Sequence, residues 1–315
     1  MASKIIISVA LLFLMMIPGI ILKKCNMVGE GFGKGISNLI LYIASPAMIL
    51  VSFLRPFDKE ILVNVVQVFV FAVVSHALFS AVALSIFKKR PEEIRKILRF
   101  ALIFSNAAYM GMPLIEASLG IEAVVYSAVY SAVFNIFVWS VGVKIYDGEN
   151  RVGVKEAVRR VLLHPVIITT VIGVLIFVFS LGEYFPTVLV DAATMLKNLV
   201  APLSMIIIGI RLAETNLESL RKMLFDRGIY ILILLRQLVF PLAIFGILKL
   251  LSFILPISEI AIISTVILSA TPVATATSMF AEKFDCDAGY ASRTVTVSTL
   301  LSVLSMPLVI LITGI

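Results

Sequence analysis

The sequence predicts an all-α polytopic membrane protein. Its ten transmembrane helices are expected to form two inverted five-helix repeats, with crossover helices 4 and 9 broken. Three observations lead to this fold class. The chain of 315 residues is 61% hydrophobic and 14% charged, with a mean hydropathy of +1.11, whereas soluble domains carry about 25% charged residues. Its apolar residues fall into blocks long enough to cross ~30 Å of hydrocarbon. Proline-containing segments recur in the same order in both halves. A soluble globular domain is therefore excluded.

The apolar blocks give the predicted spans in chain order. They cover approximately residues 4–22, 35–54, 61–87, 97–119, 121–146, 164–182, 186–211, 228–254, 259–281 and 288–314. The first block is interpreted as a span and not as a signal peptide, because its apolar run is long for a signal sequence and Lys23 and Lys24 close it as membrane-end anchors. Short connections join the spans, so no separate soluble domain is expected.

The basic residues indicate the orientation in the membrane. Odd-numbered connections hold 20 of the 26 Lys and Arg residues, whereas the even-numbered connections and both termini hold 4. By the positive-inside rule the odd-numbered connections face the cytoplasm, so both termini are expected outside the plasma membrane. This bias also explains the net charge of +7. No basic face with interleaved aromatic residues indicates nucleic-acid binding. Two cysteines, Cys25 and Cys286, exclude a disulfide scaffold and a Cys-rich metal site.

Two pairs of matching segments indicate an internal duplication. Ser45–Leu50 in the second span matches Ala201–Ile206 in the seventh, and Ile103–Pro113 in the fourth span matches Ile267–Thr277 in the ninth. Because five spans are an odd number, the two halves must cross the membrane in opposite directions, as in secondary transporters. The predicted repeats are residues 1–146 and 164–315, joined by a cytoplasmic connection over residues 147–163.

The fourth and ninth spans are expected to be broken within the membrane. Proline removes a helical hydrogen bond and clashes with the carbonyl four residues back. Small residues such as Gly111 also suit close packing in a helix that is only kinked. Taken by itself, therefore, neither span distinguishes a kink from a break. Recurrence at matching positions favours paired breaks. Such a pair directs half-helix N-termini, which carry partial positive charge, towards one point and favours an anionic ligand.

The residues around these breaks resemble a known family. Asn106–Leu114 is similar to the N-x-x-x-M-G-x-P-L segment of the auxin efflux carrier family, which includes plant PIN carriers and prokaryotic permeases for malate and related acids. Ala270–Pro272 and Phe280–Phe284 resemble the family's second crossover and its exit. Leu163–Pro165 resembles the Asn-Pro that opens the sixth span, with His164 in place of Asn. The resemblance extends over nearly the whole chain.

This resemblance implies the sodium/bile-acid-symporter-like fold. Helices 1, 2, 6 and 7 would form a scaffold, and helices 3–5 and 8–10 would form a transport domain that carries organic anions by an elevator-like motion. The chain also departs from the plant carriers. Ser105 replaces a proline before the crossover Asn, so the first break would have to rely on Gly111 and Pro113. Val273 replaces the Gln after Pro272, which removes a side-chain ligand.

Candidate site residues follow from the breaks and from polar groups inside spans, which are costly and typically functional. The substrate-binding candidates are Asn106, Tyr109, Gly111, Pro113, Pro272 and Thr275. The support-site or coupling candidates are Asn64, Gln67, Glu116, Asn135, Lys197 and Arg236.

Each candidate also has a structural interpretation. Asn106 could instead cap the broken helix, and Glu116 could be either a proton carrier or a carboxylate in interfacial water. Lys197 could attract an anion or extend to the interface; Asp191, nearly two turns away, is not expected to pair with it. For Arg236, pairing with a carboxylate elsewhere in the bundle is the alternative. A lone His76 is more typical of a packing residue than of a ligand.

The function expected is secondary transport, as a permease or efflux carrier, of a small organic anion such as a carboxylate. The alternatives are a sodium-coupled bile-acid-type symporter of the same architecture and an intramembrane enzyme. No H-E-x-x-H, G-x-S-x-G or Asp-rich motif supports an enzyme. No cofactor or metal is expected, and coupling to H⁺ or Na⁺ is open. The expected partners are the organic anion and the lipid bilayer, with no nucleic acid; the sequence leaves open whether the chain forms a homodimer.

Overall fold

A computed structural model describes residues 2–29, 31–147, 152–215 and 226–315. Arg151, Arg221 and Lys222, three of the basic residues used for the orientation, lie outside the described residues, as do residues 148–150 of the predicted cytoplasmic connection. The described regular structure is helical apart from an isolated antiparallel bridge between Ser105 and Val273.

The helices follow the predicted spans closely. In chain order they are α1 (Ala2–Lys24), α2 (Phe32–Phe53), α3 (Lys59–Ser85), α4 (Glu92–Ile103), α5 (Met112–Leu119), α6 (Ile121–Tyr146), α7 (Val154–Leu162), α8 (Pro165–Val178), α9 (Thr187–Glu214), α10 (Arg227–Ser252), α11 (Glu259–Ala270), α12 (Ala276–Lys283) and α13 (Ala288–Thr313).

Seven of the described helices, α1, α2, α3, α6, α9, α10 and α13, are long and apolar enough to cross a membrane. Helices α7 and α8, bent by 51° at their junction, make an eighth candidate if they are counted as one span. The chain is therefore a multi-pass membrane protein. The helix is interrupted in the regions predicted as spans 4 and 9. The first interruption is at residues 104–106, between α4 and the next helical turn, and the second is at residues 271–275, between α11 and α12.

Prolines change the local helix type without ending the helix. Three π-helical turns stop two residues before a proline: Ile40–Ala44 before Pro46, Ala107–Gly111 before Pro113, and Leu235–Val239 before Pro241. Because proline has no N–H to donate, the backbone preceding it rearranges its hydrogen bonds, and π-turns are one such local adjustment.

The first break lies earlier than the sequence indicated. Helix α4 ends at Ile103, whereas Gly111 lies in a helical turn and Pro113 lies in the first turn of α5. The helix runs without interruption from Ala107 through Pro113, because the π-turn before the proline accommodates its missing N–H. The expectation that this break relies on Gly111 and Pro113 is therefore wrong.

We divide the helices into two groups that follow the predicted scaffold and transport domain, and these groups also pack on each other, α1 on α5 and α13, and α6 on α2 and α8. In the first group α1 packs on α9, and α2 packs on α8 and α9; in the second, α3 packs on α4, α6 and α11, while α10 packs on α11 and α12 packs on α13. The α1–α9 contact is especially close, because a Cβ added at Gly19 or Gly209 would overlap the carbonyl oxygen of Ile206 or Met16 respectively. We refer to α1, α2, α8 and α9 as the first helix group and to the remaining helices, except α7, as the second.

Candidate substrate site at the paired breaks

The two helix breaks pair with each other through their backbones. The Asn106 N–H donates to the Pro272 carbonyl oxygen at 2.7 Å, and the Ala274 N–H donates to the Phe104 carbonyl oxygen at 3.0 Å. Backbone groups freed inside a membrane are costly unless neighbouring protein satisfies them. Each break therefore supplies the partners that the other requires.

Asn106 begins the helical turn that follows the first break. Its carbonyl oxygen accepts from the Met110 and Gly111 N–H groups at 3.1 and 3.0 Å. Its side chain is 3% exposed, and its Nδ2 has no hydrogen-bond partner among the described residues. A buried amide donor without a partner is costly. This amide would therefore gain a partner from a ligand atom or a water molecule that reached it.

The second break is braced from behind by α10 and α13. The Val273 N–H donates to Ser298 Oγ at 2.9 Å, and Gln237 Nε2 donates to the Ser298 carbonyl oxygen at 2.6 Å. Ser305 Oγ donates to Gln237 Oε1 at 2.7 Å. All of these bonds are buried. They fix the extended chain at the break to two neighbouring helices.

A cavity of about 310 Å³ lies beside the breaks. Two predicted substrate residues line it: Tyr109, in the turn after the first break, and Thr275, immediately before α12. The Tyr109 hydroxyl faces Ser37 and Arg211. The remaining lining residues are Ile207, Ile208, Ser278, Met279, Glu282, Ala288, Ser292, Val295 and Thr296. The volume suits a small organic molecule.

Arg211 and Glu282 are charged cavity residues that the sequence did not identify as site residues, and Arg211 is the cation. It lies near the end of α9, half-exposed, and its Nη1 is 3.3 Å from Glu214 Oε2. In the sequence it was one of the basic residues that indicate orientation. The sequence signal that could have identified Arg211 is that it ends the seventh predicted span, at an odd-numbered connection.

The other predicted substrate residues lie at the breaks but not on the cavity wall. Asn106, Gly111, Pro113 and Pro272 are buried in the packing around the breaks. A Cβ added at Gly111 would overlap the Leu268 side chain, so this glycine allows close contact with α11.

The polar residues predicted for a support site do not converge. Asn64 Nδ2 is 3.5 Å from the Tyr126 hydroxyl, and Asn135 Nδ2 donates to the Ser131 carbonyl oxygen of its own helix. Gln67 Nε2 donates to the Pro256 carbonyl oxygen at 2.6 Å and so ties α3 to the segment before α11. These bonds give each residue a structural role.

Two ion pairs join the helix groups. Lys197 Nζ of α9 lies 2.5 Å from Glu116 Oε1 of α5, and Arg55, after α2, lies 3.1 Å from Glu122 at the start of α6. The sequence singled out Lys197 and Glu116 separately and did not pair them. Arg236, by contrast, has no carboxylate partner among the described residues, so the expected pairing is not found.

Comparison with known proteins identifies the family of this chain. The chain matches a family described as membrane transport protein over residues 4–310. It is also 25% identical over 312 residues to an uncharacterized transporter of Methanothermobacter thermautotrophicus, covering 98% of this chain and 97% of that protein. Both matches point to a transporter and not to an enzyme. The resemblance seen at Asn106–Leu114 is thereby confirmed: the chain belongs to the membrane transport protein family, that of the auxin efflux carriers.

Proposed function

We propose that this protein is a secondary transporter for a small organic anion, such as a carboxylate, which binds beside the crossing of two broken helices. The proposal includes ten spans in two inverted repeats and an elevator-type motion of the second helix group against the first. The observation that carries it is the backbone pairing of the breaks at Asn106 and Pro272, next to a cavity. Irregular backbone at membrane depth is typical of a transported ligand's site.

The charge around the cavity favours an anion. Tyr109 and Thr275 stand at the N-terminal ends of the helical segments after the two breaks, where the backbone carries partial positive charge. Arg211 adds a full positive charge at the mouth. Glu282 also lines the cavity and, like Arg211, is exposed, so these two full charges offset each other and the preference for an anion rests on the helix N-termini and the Tyr109 hydroxyl. A carboxylate can therefore be held by backbone N–H groups, the Tyr109 hydroxyl and Arg211.

The cavity is expected to open to the cytoplasm. Arg211 belongs to the seventh connection, Glu282 and Ala288 flank the ninth, and Ser37 follows the first, all of which are odd-numbered. Arg55 and Glu122 belong to even-numbered connections, so their ion pair lies on the opposite, extracellular side. Ion pairs that join the two groups on one side and a cavity on the other support an inward-facing state.

Flux measurement on reconstituted protein tests the proposal. Purified protein in liposomes is expected to take up radiolabelled malate or another small mono- or dicarboxylate, above the rate of protein-free liposomes. Arg211→Gln is expected to raise the KM about tenfold or more, since it removes one charge-assisted hydrogen bond worth roughly 1.5–3 kcal/mol. Lys249→Gln, at the far end of α10, is the matched control and should leave the KM unchanged.

Absence of flux for a panel of mono- and dicarboxylates would refute the anion substrate. Replacing Na⁺ by K⁺ at constant pH, and imposing a pH gradient at constant Na⁺, distinguish the possible coupling ions. Uptake that requires Na⁺ would favour the sodium-coupled alternative.

A further inference from the structure

Arg236 is a buried cation that the proposed transport mechanism does not use. It lies in the π-helical turn Leu235–Val239 of α10 and is 0% exposed. Its Nε, Nη1 and Nη2 atoms have no hydrogen-bond partner among the described residues. All of the donors of a guanidinium are therefore left unsatisfied in the interior.

The side chains that face Arg236 do not neutralise its charge. Its carbon Cζ lies 5.7 Å from the centre of the Phe79 ring, and the charged or titratable groups that face it are Tyr130 and His76. His76 Nδ1 bonds to the Ala72 carbonyl oxygen at 2.8 Å, so this nitrogen carries the hydrogen. His76 Nε2 has no partner. A ring face and two neutral groups cannot balance a full positive charge.

A guanidinium in this position favours a negative partner, which the described residues do not supply. Arginine does not lose its proton in proteins, so it cannot become neutral as a buried lysine can. An unpaired buried charge is strongly destabilising, and charges inside a membrane are almost always paired or in contact with water. Because no described carboxylate fills this role, an anion from solution is the remaining source of charge.

The position of Arg236 connects it to both breaks. The Tyr130 hydroxyl faces both its guanidinium and Ser105 of the first break. The next residue, Gln237, is bonded to Ser298, which holds Val273 of the second break. The cavity beside Tyr109 has other lining residues. An anion at Arg236 would therefore lie behind the breaks, apart from the substrate in the cavity.

We propose that Arg236 forms a second, buried site for a small monovalent anion of the halide or carboxylate class. The guanidinium is its charged ligand, and the Tyr130 hydroxyl is a further donor. The bound anion neutralises the interior of the second helix group and stabilises the paired breaks. This site does not depend on which substrate the cavity takes.

Thermal unfolding in detergent, at constant ionic strength, tests the site. A bulky sulfonate, sodium HEPES, is replaced stepwise by sodium chloride, bromide or acetate. The wild-type midpoint is expected to rise and saturate, by about 5 °C when the anion exceeds its Kd a hundredfold. A rise with halide but not acetate identifies an inorganic anion, and a rise with acetate as well identifies the wider carboxylate class. Arg236→Gln should lose the response, and Arg236→Lys should retain part of it.

Arg211→Gln is the matched control. It removes the cavity charge and is expected to weaken malate uptake while leaving the halide-dependent midpoint shift intact, which separates this site from the proposed transport function. Crystals grown in bromide give a second readout that needs no variant, namely an anomalous peak beside the Arg236 nitrogens. No halide or acetate response, an equal response in Arg236→Gln, or no bromide peak at this position would overturn the proposal and leave water bridging Arg236 to His76.

Discussion

Replacing Lys197 by methionine is expected to shift the protein away from the inward-facing state. The substitution removes the partner of Glu116 but keeps an unbranched side chain. The pair joins α9 of the first helix group to α5 of the second, with 2.5 Å between Nζ and Oε1. If the second group moves relative to the first, as proposed, Glu116 leaves Lys197 and the pair breaks. Its free energy therefore stabilises this state over the alternatives.

The burial of the pair sets the size of the effect. The Lys197 and Glu116 side chains are 11% and 20% exposed. At an effective dielectric constant of about 20, two charges at 4 Å attract by ~4 kcal/mol, from which the cost of desolvating both must be subtracted. A net contribution of about 1–2 kcal/mol changes the ratio of inward-facing to outward-facing protein by roughly 5–30-fold.

Cysteine accessibility measures this ratio directly. A reporter, Ser278→Cys, is placed in the cavity wall of a chain in which Cys25 and Cys286 are replaced by serine. Labelling by a membrane-impermeant maleimide is compared between inside-out and right-side-out vesicles. Lys197→Met is expected to lower the ratio of the two rates by about 5–30-fold, as estimated above from the ion-pair free energy.

The second ion pair supplies a graded control. Glu122 has a 74% exposed side chain, so Arg55→Gln should remove at most ~1 kcal/mol and lower the same ratio less than Lys197→Met does. The exchange Lys197→Glu with Glu116→Lys should restore the ratio. The reasoning is refuted if Lys197→Met leaves the ratio of labelling rates unchanged, or if both ion pairs affect this ratio equally. It is also refuted if the charge exchange gives a stably folded protein in which the ratio is not restored.

Three further predictions follow from the packing and from the breaks. Asn106→Ala should reduce carboxylate flux at least tenfold if the anion reaches the unpartnered Asn106 amide behind the cavity wall during transport, since a hydrogen bond to a charged ligand is worth roughly 1.5 kcal/mol. The unfolding midpoint should change little, because the bonds that pair the breaks are backbone bonds, and unchanged flux would remove Asn106 from the site. Gly209→Val should destabilise the protein by about 1–3 kcal/mol or more, since its side chain meets the backbone of α1, whereas Gly33→Val, with open space around it, should have a small effect in the same thermal scan. Gln237→Leu should lower the free energy of unfolding by about 1–3 kcal/mol, because it leaves buried partners such as Ser298 without a hydrogen bond. An unfolding midpoint equal to that of the wild type would contradict the bracing role of Gln237.

Much of the helical architecture could be predicted because hydrophobic length is a local property. The third span, predicted at residues 61–87, is Lys59–Ser85 in the structure, and the last, predicted at 288–314, is Ala288–Thr313. Continuous apolar runs of this length have few alternatives to a helix in hydrocarbon. The segment Val154–Leu162 was predicted only as part of a connection, because charged residues interrupt its apolar positions.

The position of the first break could not be predicted from nearby residues. Pro113 attracted the prediction because proline disturbs a helix locally. The actual break, at residues 104–106, depends on hydrogen bonds to Pro272 and Ala274, which are remote in the sequence. Local propensity cannot reveal a partner that only the folded chain brings near. The same limit applies to Lys197, which was assessed against Asp191 on its own helix while Glu116 lies 81 residues away.

The distribution of ion pairs distinguishes the two sides of the protein. On the side of the odd-numbered connections, described pairs stay within one helix group: Lys23–Glu214 joins α1 to α9, and Arg90–Asp226 joins the α3–α4 connection to the start of α10. On the other side, Arg55–Glu122 joins the two groups, and Lys197–Glu116 joins them within the helices. A neutral hydroxyl contact, Thr215–Thr296, is the weaker link between α9 and α13 near the cavity.

This asymmetry has a consequence for the order of events in transport. In the proposed transport cycle, a motion that opens the side of the even-numbered connections, proposed to be extracellular, would break both intergroup ion pairs, whereas closing the cavity on the opposite side would break no described ion pair. An incoming anion can contact both Arg211 of the first helix group and the helix N-termini at Tyr109 and Thr275 of the second, so it would draw the two cavity walls together. Substrate binding would therefore favour closure of the cytoplasmic side, while the strength of the Lys197–Glu116 pair would limit how fast the extracellular side opens.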